Sequence, residues 1–171
     1  MAVDVMLRLL LAAVLLLGPV VVARADEPTW TRRIIAPDTA LKAAQAALAE
    51  CRKRGWQAAV TVSDPSGLAL VTLRDRFAGW HTLEAATGKA RTAASWREAT
   101  STLAARLARP DAAERATIVN VPGVVMVGGG MPIEAAGQQV GAIGVSGAPG
   151  GDNDDICAKA GIEAVAADIA F

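Results

Sequence analysis

Apolar positions recur along this chain in two rhythms, one helical and one alternating, and glycine clusters separate them. Leu41, Ala44, Leu48 and Cys51 stand three or four apart, the spacing of one buried helix face. Pro37-Asp38-Thr39 opens that helix and Gly55 closes it after Arg54. Gln57 to Ser63 alternates as a strand, Asp64-Pro65-Ser66-Gly67 is a turn, and Leu68 to Arg74 returns as the second arm of a hairpin. Arg74 to Gly79 is a charged loop. Thr82 to Trp96, rich in Ala, Glu, Lys and Arg, reads as a helix. Gly88 inside it costs about 1 kcal/mol relative to Ala, which points to close packing there. A shorter helix spans Thr100 to Ala108, and Pro110-Asp111 opens a further helical turn. Three strands follow, Gly123 to Val127, Met131 to Ala135 and Gln139 to Ser146, broken at Gly128-Gly129-Gly130 and Gly137. A last helix starts at the Asp152 to Asp155 cluster and runs to Ile169. The order α-β-β-α-α-β-β-β-α predicts one α+β domain, a roughly five-stranded antiparallel sheet flanked by helices.

The amino terminus changes how composition is read. Arg8, an apolar run from Leu9 to Leu17 continued by Val20 to Ala23, and the small-x-small triplet Ala23-Arg24-Ala25 have the form of a secretory signal over residues 1–25. The run is shorter than the ~18 residues of a spanning helix and Pro19 interrupts it, so no membrane association is expected after cleavage. Removing it leaves 146 residues, with an exposed lead-in over 26–38 and the domain over 39–171. Loss of Asp4, Arg8 and Arg24 leaves 15 basic and 16 acidic side chains, a net charge of −1. Such a surface has no electrostatic footprint for nucleic acid. The expected location is periplasmic or secreted, and there Cys51 and Cys157 have two readings, a single disulfide or two small buried thiols.

Several local patterns fail as chemistry. Gly128 to Met131 lacks the Gly-Lys-Ser/Thr and the following helix of a phosphate loop. The Asp152 to Asp155 cluster lacks the Gly and terminal Glu of a calcium loop, and it reads as helix capping. Gly141, Gly144 and Gly147 read as packing glycines. Cys51, Cys157 and His81 are too dispersed for zinc, and no nucleophile–base spacing identifies a catalytic residue.

Three stretches, AVTVSDPSGLALVTLRD (Ala59 to Asp75), HTLEAATGKARTAAS (His81 to Ser95) and GGGMPIEAAGQQVGAIGVSGAPGGDNDDICAKAG (Gly128 to Gly161), occur in this order. In them the chain resembles the GlcG/HbpS family of haem-degrading or domain-of-unknown-function 336 proteins. The resemblance implies a profilin- or PAS-like sheet, assembly into homo-oligomers, and haem as a cofactor in some members, with sensing or haem-handling roles. It also implies an alternative, an accessory module without cofactor that takes a small organic acid or a partner protein in a periplasmic oxidation pathway. His81 is the single histidine, so it is the candidate axial ligand to haem iron, and it also reads as an exposed loop or cap residue. Two histidine ligands from one protomer are impossible, which leaves Met126, Met131, water or a second protomer for the other side. Lys89, Arg91 and Thr92 fall in the stretch matching the family. The two cations are candidates for a propionate or a small carboxylate and the Thr92 hydroxyl for a weak contact to the iron, or else the stretch is a solvated helix face.

Overall fold

The computed structural model describes residues 29–170, so the signal-like segment over residues 1–25 lies outside the described residues. Four strands form one antiparallel sheet: β1 (Ala59–Ser63), β2 (Ala69–Arg74), β3 (Gly130–Ala135) and β4 (Gln138–Ser146), in the spatial order β2-β1-β4-β3. β1 lies in the middle and is buried along its whole length. Its register sets Thr61 opposite Thr72 on β2 and opposite Gly144 on β4. Side-chain alternation then divides the sheet into two faces.

On one face Val60, Val62, Ile143 and Val145 meet α1 (Pro37–Lys53) and α5 (Gly151–Glu163) in the main core. Alanines line the inner side of α1, so the two helices approach closely. Gly161 of α5 has its Cα where an added Cβ would sit 2.8 Å from the Ala43 carbonyl oxygen. Cys51 of α1 and Cys157 of α5, both fully buried, form a disulfide with Cα atoms 5.5 Å apart. A second tie joins α1 to the end of β2. Arg52 Nε donates to Asp75 Oδ1 at 2.7 Å, and the buried Asp75 also accepts the Ala58 N–H.

The opposite face carries α2 (His81–Trp96), which lies over β4 and β1. Gly144 makes this possible: a Cβ there would overlap the Ala86 carbonyl oxygen and stand 2.5 Å from the Ala90 nitrogen. Gly144→Ala should therefore push α2 off the sheet and lower stability by about 1–3 kcal/mol or more, as overpacking does. A urea unfolding curve checks this, with a lowered midpoint as the expected outcome. Beyond α2 come α3 (Thr100–Leu107) and the single turn α4 (Arg115–Ile118).

The fold class is as expected, with four departures in detail. The sheet has four strands, not five, because Gly123 to Val127 pairs with no strand. Helix side chains satisfy that segment instead: the Val125 N–H donates to Thr92 Oγ1 at 2.9 Å, and the Val127 carbonyl accepts from Thr100 Oγ1 at 2.7 Å. The lead-in is not exposed throughout. Ile35 is a core residue, and its N–H donates to the Val140 carbonyl, so the ordered body begins before α1. The last helix ends at Glu163, and the chain continues to Ile169 in turns with tighter i→i−3 bonds such as Val165 N–H to Ile162 O. Finally, no aspartate caps α5, whose N-cap is Gly150 without a side-chain bond. Gly141, Gly144 and Gly147 are close-packing positions, but only Gly144 faces a helix; Gly141 abuts the Ser63 carbonyl and Gly147 that of Gln57.

Candidate functional site

α2 supplies the site because of which residues its outer stripe carries. His81, Glu84, Ala85, Gly88 and Arg91 follow one another at helical spacing. They line a cavity of about 610 Å³ whose other wall is Gly123 and Val125. Two glycines shape it. At Gly88 a Cβ would fall 2.5 Å from Val125 Cγ2, so the bare backbone lets the 123–125 segment settle against the helix. At Gly79 a Cβ would fall 2.6 Å from His81 Cε1, so the missing side chain leaves room for the imidazole. The Thr82 hydroxyl donates to the Gly79 carbonyl at 2.6 Å and fixes the entry into α2. The Trp80 and His81 rings stand edge to face, with centroids 6.0 Å apart.

His81 is exposed at the mouth of the cavity, and both ring nitrogens are free of hydrogen bonds among the described residues. Arg91 is also exposed. Its stem lies over Gly67 in the β1–β2 turn, with a Cβ at that glycine reaching 3.0 Å from Arg91 Cγ, and it forms no ion pair among the described residues. Thr87 lines the same cavity and hydrogen-bonds the buried Thr61 at 3.0 Å, joining the site wall to the central strand.

Lys89 and Thr92 lie elsewhere, on the inner side of α2. Lys89 is buried, and its Nζ donates to Asp154 Oδ2 at 2.6 Å and to the Val145 carbonyl at 2.9 Å. Asp154 Oδ1 accepts the Ala148 N–H. Burial pushes the Asp154 carboxyl above its ordinary 3.8, while the Lys89 hydrogen bond and charge pull it back. Thr92 accepts the Val125 N–H and donates to the Gly88 carbonyl at 2.8 Å. These two residues hold the walls, whereas His81 and Arg91 face the space between them. Met131 is buried in the main core on the other face of the sheet, and Met126 lines a separate small cavity beside α3. Among the described residues no three His, Cys, Asp or Glu side chains cluster as a metal site, and no helix is long and apolar enough to cross a membrane.

Residues 35–163 match the family model described as haem-degrading protein HbpS-like. The chain belongs to the HbpS-like family. The crystal structure of HbpS shares 42% identity over 84% of this chain and 97% of that one, with a TM-score of 0.73. A double Glu-to-Asp mutant of Streptomyces reticuli HbpS gives 40% identity, coverage of 85% and 96%, and the same TM-score of 0.73. A PduOC:haem complex is 27% identical over 77% of this chain and 94% of that one, at a TM-score of 0.71. Klebsiella pneumoniae ORFY, at 20% identity, 82% and 97% coverage and a TM-score of 0.76, shares the fold. No curated protein sequence matches the chain significantly.

Sequence reasoning missed Asp154 as the partner of Lys89 and Gly79 as the space for the imidazole; it marked Gly88 for close packing but not Val125 as the neighbour. Gly88 gave the one local signal, a helix-interior glycine.

Proposed function

We propose that this protein binds haem in the cavity along α2, with His81 as an axial ligand to the iron and Arg91 paired with a propionate. The observation that carries this reading is the single histidine, exposed and without a hydrogen bond among the described residues, lining a largely apolar cavity of about 610 Å³ together with Arg91, which has no ion pair among the described residues. That size falls within the range of small-ligand pockets, and the chemistry of the donors fits: a neutral imidazole for iron and a guanidinium for a carboxylate. The HbpS-like family and the haem-bound PduOC relative support it. Bound haem would supply redox-active iron; this chain's residues would orient the macrocycle and neutralise its carboxylates. The signal-like amino terminus, with the Cys51–Cys157 disulfide, supports work in an oxidising compartment, periplasmic or extracellular.

A haemin titration followed by absorbance tests the reading. The expected result is a saturable Soret shift with one haem per chain, lost or displaced in His81→Ala. Arg91→Ala should weaken binding by about tenfold without changing the spectrum of the complex, the scale of a charge-assisted bond. A saturable shift with the same spectrum in His81→Ala would move the axial ligand elsewhere, and the absence of any saturable shift would overturn haem binding.

A further inference from the structure

One wall of the cavity along α2 differs in kind from the rest of the domain. No residue from Ala108 to Val127 is buried, those of α4 included. The backbone hydrogen bonds of this strap stay within it, as from Val121 N–H to Ile118 O, or reach back to α3, as from Ala108 N–H to Ala104 O. Among the described residues none joins its backbone to the backbone of the sheet, of α2 or of α5. Three side-chain ties hold it. Arg106 of α3 pairs with Glu114 at the surface, Thr92 Oγ1 accepts the Val125 N–H, and Thr100 Oγ1 donates to the Val127 carbonyl. A segment tied so lightly, with no side chain in the core, belongs to the least stable part of a fold.

Val125 is what the strap puts into the site. Its Cγ2 fills the space over Gly88, 2.5 Å from where a Cβ would stand. The three atoms nearest that position all belong to the strap: Val125 Cγ2, Val125 Cβ and the Gly123 carbonyl oxygen. Gly88 is therefore a notch in α2 that only the strap occupies. A second cavity, of about 340 Å³, adjoins the first, and His81, Ala85 and Val125 line both. Two of these are on α2. Val125 is the one that comes from outside the helix, and it stands between the two spaces.

We infer that the strap is a gate, which opens when Val125 leaves the Gly88 notch and the Thr92 hydroxyl. The two cavities then join into one trough along α2, broad enough for a ligand that neither compartment admits alone. Opening breaks one neutral hydrogen bond and the contacts of one half-buried valine. The freed Val125 N–H meets water, and Thr92 keeps its bond to the Gly88 carbonyl. That haem is what passes rests on the function proposed above; the movement itself does not.

Native-state hydrogen exchange of the ligand-free protein, followed by 1H–15N NMR, tests the movement. The Val125 amide should exchange through an opening shared with Val121 and Val124, about a hundredfold more often than the amides of β4. Gly88→Ala is the deciding variant. Its methyl group would press on the strap, and alanine is the better helix former, so the urea midpoint should stay at or above that of wild type. Exchange at Val125 should nonetheless rise about tenfold, the scale of one lost hydrogen bond. Thr92→Val should give the same rise, and Thr92→Ser, which keeps the hydroxyl, should not. Val125 exchanging only with global unfolding, or Gly88→Ala losing stability in step with its faster exchange, would overturn the gate. Haemin association separates this result from the haem reading. A faster rate in Gly88→Ala supports entry through the gate, and equal rates overturn the gate while haem binding stands. A protein that opens at Val125 and takes no haemin overturns the haem reading alone.

Discussion

Asp154→Asn should lower the unfolding free energy by about 3–5 kcal/mol, the cost of leaving a buried charge without its partner. The Lys89 ammonium would keep the Val145 carbonyl but lose its one charged partner. Lys89→Met should be milder at acid pH, because the orphaned Asp154 can take up a proton. The sign follows from the direction of its shift. Burial already raises the Asp154 carboxyl above 3.8 in the folded protein, and removing Lys89 takes away the main opposing influence. The folded state then holds a proton that the unfolded chain has released. Relative to wild type, Lys89→Met should lose about 1.4 kcal/mol per pH unit as pH rises from the wild-type folded value of Asp154 to its higher value in the variant, and then level off. Urea unfolding of both variants and of Lys89→Met/Asp154→Leu across pH measures this. The double variant should recover most of the loss; a double variant as unstable as Asp154→Asn would mean that the pair does not act through its charges.

The paired change Cys51→Ala/Cys157→Ala should cost about 3–5 kcal/mol, because the bridge spans 106 residues and restricts nearly the whole unfolded domain. The sulfurs are fully buried, so small cavities add to the loss. The two contributions separate in denaturant. An expanded unfolded state raises the slope of free energy against urea, whereas a cavity alone shifts the midpoint. A fall in midpoint with an unchanged slope would assign the stabilisation to packing in the folded state.

What could be read from the chain follows the range of the interactions. The β1–β2 hairpin was legible because its turn is local: Asp64 Oδ1 accepts the N–H groups of Ser66 and Leu68, and Gly67 takes φ +82°. The first helix was legible from its spacing of apolar residues. The Val-rich segment before the triple glycine misled, since β propensity cannot reveal that Thr92 and Thr100 occupy the backbone groups a neighbouring strand would need. His81 and Arg91 share the cavity because they sit ten residues apart on one helix face. Lys89 reads as a surface cation from its own neighbourhood, and only the fold brings Asp154, 65 residues later, against it. The acidic cluster resembled a cap for the same reason. Its partners are the Lys89 ammonium and the Gly129 and Ala148 amides, all outside the helix it begins.

α5 has a place in time as well as in space. It carries Cys157, Asp154 and Asp155, the second halves of the disulfide, of the buried ion pair and of the bond that seats the Gly129 amide. A chain emerging amino end first presents Cys51 and Lys89 long before their counterparts exist. Until the carboxy-terminal helix arrives, Cys51 remains a thiol open to oxidation by other partners and Lys89 carries an unanswered charge. This later-made helix thus closes the domain, and any truncation that removes it takes all three fastenings together.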